Sequence, residues 1–135
     1  MPITTHWYDE DHYVIAQKFD GNWTWDEMVK SLEEIEQMSA SVSHNVIIFN
    51  DMSDTKVTPK GNTLIQGRAC VRRWPKNVTQ IVLVLHSRII EVFVSLVFEI
   101  APGWRDRVVF AHNYADGQQL VEKALAKNHI ATSRT

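Results

Sequence analysis

Apolar and polar positions along the 135 residues follow two periods, and the switches between them mark out the elements. Residues 12–19 are rich in β-branched and aromatic side chains and close on Asp20, Gly21 and Asn22, a turn cluster that tolerates positive φ, so a strand is expected there. His6, Trp7 and Tyr8, set off by Asp9, Glu10 and Asp11, are expected to pair with it as a short antiparallel edge. Thr24 followed by Glu27 has the spacing of a capping box, in which a hydroxyl and a carboxylate each satisfy a free backbone N–H, and it predicts a helix start. Along that helix Trp25, Met28, Val29, Leu32, Ile35 and Met38 recur at three- and four-residue spacing. Asp26, Lys30, Glu33, Glu34 and Glu36 fall mostly on the other side, and the Ser39–Ser43 stretch ends it.

Residues 46–49 and 81–85 are unbroken apolar runs, the pattern of strands buried on both faces of a largely parallel sheet. Between them a helix is expected from about Gly61 to Trp74, entered through Pro59 and stopped by Pro75. Residues 88–100 read as a helix apolar on almost every face, ended by Ala101, Pro102 and Gly103. Arg88, Glu91, Glu99 and its short length keep it from spanning a membrane. A last strand is expected at 107–110, and a final amphipathic helix capped by Asp116, with Leu120, Val121, Ala124 and Leu125 on its apolar side. Strands alternating with helices imply β-α-β crossovers. The expected architecture is a single α/β domain over residues 1–135: a mixed, mostly parallel sheet of about five strands, an N-terminal antiparallel edge hairpin and about four helices. The tail, 128–135, is polar and expected to fray.

The order of elements from Tyr13 to Leu125 resembles the STAS domain, the fold of the bacterial anti-sigma-factor antagonists and of the cytoplasmic tails of sulfate transporters. Two stretches are sharper than the general pattern. Phe19, Asp20 and Gly21 lead into a capped helix, and Asn50, Asp51, Met52 and Ser53 close a buried strand, similar to the family's Asp-hydrophobic-Ser signature. Residues 21–27 also look like a group of small bacterial proteins of this fold. The antagonists carry a phosphorylated hydroxyl in an Asp-Ser-Ser-Gly-type motif at the start of the next helix. This chain has Thr58, Pro59, Lys60, Gly61, Asn62 and Thr63 there. The resemblance implies the STAS-like fold and a regulatory or interaction role, without that phosphorylation switch.

Composition narrows the classes further. With 14 Lys and Arg against 16 Asp and Glu the formal net charge is -2, which argues against sustained nucleic-acid binding. One cysteine, Cys70, closes no internal disulfide and builds no zinc knuckle, and residues 1–6 carry no signal-peptide pattern. A cytoplasmic location is therefore expected.

In an open parallel sheet, ligands bind beyond the carboxyl ends of the strands. Three strands deliver polar groups there: Asp51, Ser53 and Asp54; His86, Ser87 and Arg88; His112 and Asn113. A carboxylate and two imidazoles suffice for acid-base work or for a two-His, one-carboxylate metal site. The plain alternative is that these residues cap the loops and helices that follow them. No cofactor motif accompanies them.

Charge is unevenly spread. Residues 1–54 hold eleven acids and two bases, whereas residues 55–76 hold six bases and no acid. Within that basic stretch Arg68 and Arg72 stand four apart on one helical face, with Arg73 and Lys76 beside them and Lys56 and Lys60 in the entering loop; these cations either answer the acidic first helix or offer an anionic partner surface or a site for a phosphate-bearing ligand at the helix's amino end. Five tryptophans are many for this length; Trp23 and Trp25, two apart, are not expected both to point inward, and an exposed one would serve as a contact anchor.

The helix at 88–100 is expected to pack on the sheet through Ile89, Phe93, Val97 and Ile100. Ile90, Val92, Val94, Leu96 and Phe98 are then left for a second cover, so that Ile90, Val94 and Phe98 become candidates for self-association as a homodimer. The expected function is a non-enzymatic regulatory or interaction domain that works by self-association or by binding a protein partner, with neither a membrane nor a nucleic acid as partner. The alternatives are a binder of a small apolar or anionic molecule in the strand-end crevice and, third, a hydrolase or metalloenzyme using Asp51, His86 and His112.

Overall fold

The computed structural model describes residues 2–101 and 103–133, with side chains described through residue 127. Five strands and four helices alternate: β1 (Ile3–Trp7), β2 (Val14–Phe19), α1 (Trp25–Ala40), β3 (Val46–Asp51), α2 (Thr63–Arg72), β4 (Val78–Val84), α3 (Arg88–Glu99), β5 (Val108–Ala111) and α4 (Tyr114–Ser133). A 3₁₀ turn at Arg105–Arg107 leads into β5. The sheet runs β1-β2-β3-β4-β5, with β1 antiparallel to β2 and every other pair parallel. The α/β class, the antiparallel edge and the mostly parallel sheet are as the sequence predicts.

Side chains alternate across the sheet with the strand period of two, and they sort into two cores. Ile15, Phe19, Val46, Ile48, Ile81 and Leu83 face one side, where they pack against α1, α2 and α3. Val14, Ile47, Phe49, Val82 and Val84 face the other, where α4 alone covers them through Val121, Leu120, Ala124 and Leu125. Strands buried on both faces are why 46–49 and 81–85 read as continuous apolar runs.

Sequential strand order puts all three crossover helices on one face. The winding therefore never reverses between neighbouring parallel strands, and the sheet has no switch point of the kind that opens a ligand crevice in doubly wound folds.

The helix ends are set by local chemistry. At α1 the capping box is complete: the Glu27 N–H donates to Thr24 Oγ1 at 3.2 Å, and the Thr24 N–H to Glu27 Oε1 at 3.0 Å. Helix α2 starts at Thr63 rather than near Gly61, because Asn62 Oδ1 accepts from the Ile65 N–H. The cap expected at Asp116 is corrected. Helix α4 begins at Tyr114, and Asn113 Oδ1 accepts from the Asp116 N–H at 2.8 Å while Asn113 Nδ2 donates to Asp116 Oδ2 at 3.0 Å. The expected frayed tail falls where α4 continues to Ser133; side chains from 128 on, residues 134–135 and Pro102 lie outside the described residues. Among the described residues no helix is long and apolar enough to cross a membrane.

Helix α3 sits in a different rotation from the one its sequence suggests. Ile90, Val97 and Phe98 are buried, Val94 packs against the same core, and Ile89, Val92, Phe93, Leu96 and Ile100 are the exposed large apolar side chains. The set expected to dock on the sheet and the set expected outside are thus largely exchanged. The polar positions Arg88, Glu91, Ser95 and Glu99 form one narrow stripe at three- and four-residue spacing, with large apolar side chains on both of its flanks, so periodicity alone does not choose which flank is buried.

Candidate functional site

The strand-end residues are placed where they were expected along the chain, but they do not converge. Asp51, pointing to the α4 face, lines a depression with Phe49, Lys18 and Tyr114. His86 and His112 line a separate open trough along α3, with Arg88, Glu91 and Glu99. Among the described residues no three His, Cys, Asp or Glu side chains come together as a metal site.

Several of these polar groups have local tasks instead. Ser53 Oγ donates to Asp51 Oδ1 at 2.6 Å, and the Ser53 N–H donates to the same oxygen. Asp54 Oδ2 accepts from the Gly21 N–H at 3.2 Å, tying the β2–α1 turn to the loop after β3. Ser87 caps α3 by accepting from the Ile90 N–H. His112 Nε2 lies 3.5 Å from Glu91 Oε2, an ion pair only when the imidazole is protonated. Tyr114 stacks on Phe49, and burial, with Tyr8 and Asp51 adding to it, pushes its hydroxyl above the ordinary range.

The basic segment is divided. Arg73 reaches across to α1 and donates from Nε and Nη2 to Glu36 Oε1, at 3.2 and 2.9 Å. Arg68 and Arg72 are exposed and pair with no carboxylate among the described residues. They stand in the middle and at the end of α2, away from its amino terminus, so they do not build the anion site considered at that end.

The largest departure from expectation lies beneath α1, α2 and α3. A cavity of about 90 Å3 opens between these helices and the sheet, and none of its lining residues is charged. Trp23 and Trp25 both turn toward it. Trp23 is buried and its Nε1 donates to Thr55 Oγ1 at 3.0 Å; Trp25 meets Trp23 edge to face, with ring centroids 5.3 Å apart. The expectation that two tryptophans two residues apart cannot both face inward is therefore corrected. Trp23 precedes the extended cap Thr24 and Trp25 opens the helix, so the strand rule of opposite faces does not govern the pair. The sequence signal for this site was Trp23 and Trp25 together with the polar Gln17 and Asn50 inside otherwise apolar strands.

Comparison with protein-family models, with curated proteins and with solved structures finds no match. The site is therefore read from its own geometry.

Proposed function

We propose that the protein is a non-enzymatic interaction domain, STAS-like in its regulatory role, which works by pairing with a second copy of itself through the outer face of α3. The carrying observation is the stripe of Ile89, Val92, Phe93, Leu96 and Ile100, exposed at 69, 55, 37, 44 and 40%. Spacings of three and four residues put these side chains on one side of the helix, and that side is the reverse of the Ile90, Val94 and Phe98 set suggested by sequence. Large contiguous apolar patches on a small domain mark interaction surfaces.

Charge favours a second copy as the occupant. Exposed Arg88 opens α3 and exposed Glu99 closes it, each the wrong sign for the helix's own dipole. An antiparallel copy across a twofold axis would put each Arg88 beside the partner's Glu99 and carboxyl terminus. The same axis sets the apolar stripe against itself. Glu99 is also 3.0 Å from Arg105, but that pair is exposed and contributes little.

The test is sedimentation equilibrium of the wild type and of Val92→Glu/Leu96→Glu. A wild-type dimer that the double variant converts to a folded monomer supports the reading. A wild type already monomeric at high micromolar concentration, or a double variant that still dimerises, overturns it.

A further inference from the structure

The cavity under α1–α3 carries two polar atoms that no group among the described residues satisfies. Trp25 Nε1 and Asn50 Oδ1 are buried and lack hydrogen-bond partners among the described residues, and both residues line the cavity. Asn50 itself is 3% exposed, on the helix-covered face of β3. An indole N–H only donates and an amide oxygen only accepts. Leaving either unpaired away from water is costly, so buried groups of this kind ordinarily have partners. Here a donor and an acceptor border one space whose other walls are mostly apolar, including Leu32, Leu83 and Val97, with Gln17, Thr55, Thr58 and Thr63 as the other polar uncharged lining residues.

We infer that this cavity is a binding site for a small uncharged molecule with an apolar body and a hydroxyl, a neutral short-chain alcohol. Its oxygen accepts from Trp25 Nε1 or its hydrogen donates to Asn50 Oδ1. Charge is ruled out by the lining, which offers a carboxylate, phosphate or ammonium no counter-ion. Size is bounded by the volume of about 90 Å3, below the ~150 Å3 of an apolar cavity known to take up benzene, so the body is a short chain smaller than such a ring. This site lies on the face covered by α1–α3, toward the carboxyl ends of β2, β3 and β4 and beside the loop after β3, and Phe93, which lines it, also belongs to the outer stripe of α3.

1-Butanol is the probe. Titrated into the 15N-labelled protein, it should move the Trp25 indole N–H resonance saturably, the signal being assigned by its loss in Trp25→Phe. Asn50→Leu and Trp25→Phe should each weaken 1-butanol about tenfold, the worth of one buried hydrogen bond, and leave n-pentane binding within twofold. Dispersed signals from the other indoles show that a variant is folded, and either variant alone suffices. No saturable shift, as expected if only water occupies the space, overturns the inference. So does 1-butanol binding that neither variant weakens.

Discussion

Gln17 and Asn50 face each other in register across β2 and β3, the one 2% and the other 3% exposed, on the side of the sheet that the three crossover helices cover. Gln17 continues the row outward, donating from Nε2 to Thr5 Oγ1 on β1 at 3.1 Å. Asn50 Oδ1 has no such partner, and its other neighbour in register is Leu83. A polar row thus crosses three strands and stops where the apolar cavity begins.

The unpaired amide oxygen makes the site costly to the fold. Replacing a buried group whose partner is missing by an apolar one of similar size recovers the desolvation penalty, on the order of 1–2 kcal/mol. Asn50→Leu is therefore expected to raise the urea midpoint, without a change in slope, in protein freed of small molecules. Gln17→Leu, which breaks a made hydrogen bond, should lower it. A loss of stability in Asn50→Leu would show that the amide has a partner.

Helices α2 and α3 approach each other at Gly67. A Cβ built there would lie 2.7 Å from Cγ2 of Val97 and 3.3 Å from its Cγ1, and the β-branched side chain has little freedom to give. Alanine ordinarily favours a helix by about 1 kcal/mol over glycine. Overpacking costs typically ~1–3 kcal/mol, so Gly67→Ala should come out neutral to destabilising rather than stabilising. Adding Val97→Ala should recover part of the loss, a coupling that chemical denaturation of the single and double variants would measure. A stabilised Gly67→Ala would refute the close approach.

Much of this arrangement is visible along the chain, for identifiable reasons. Strands and capped helices are written in local chemistry: the Thr24–Glu27 box, the turn at Gly21 and the apolar runs of β3 and β4 each act over a few residues. Which face of α3 looks outward depends on where α2 and the sheet lie, and the narrow polar stripe of Arg88, Glu91, Ser95 and Glu99 does not fix which of its apolar flanks is buried. The cavity is harder still, because Trp23, Trp25, Asn50 and Thr55 meet only through the crossover geometry that stacks α1 and α2 on one side. Polar residues at the strand ends, by contrast, are conspicuous in sequence, yet the fold uses Ser87 and Asn113 as caps and Asp54 as a tie.

Cys70 lines the cavity, and burial pushes its thiol above the ordinary range against a weaker opposing pull from Arg73. A raised acid is less ionised at any given pH, and the thiolate is the reactive form. At pH 8 the folded protein should react with a disulfide reagent more slowly than the chain in urea, with the rate climbing as the pH is raised. The neutral thiol is also the form the fold favours. Its contribution to stability is present below the unfolded pKa of ~8.5 and lost as pH rises through the folded one. Equal reaction rates in folded and unfolded protein would contradict this.

Arg73 and Glu36 bridge α2 to α1, whereas Arg68 and Arg72 on the same helix bridge nothing among the described residues, and the difference separates their expected effects. The Arg73–Glu36 contact is short at 2.9 Å, but both side chains are more than a third exposed, so water and salt screen it. Exposed pairs contribute about 0–1 kcal/mol. A double-mutant cycle on Arg73→Ala and Glu36→Ala should therefore give a coupling within that range, shrinking as salt is raised. Reversing Arg68 and Arg72 to Glu removes no contact and should move Tm by a few degrees at most, since 1 kcal/mol corresponds to about 3–5 °C at this size. A large loss on that reversal would mean that these two cations, and not Arg73 alone, hold the acidic face of α1, and the basic surface would then belong to the fold instead of being free for an anionic partner.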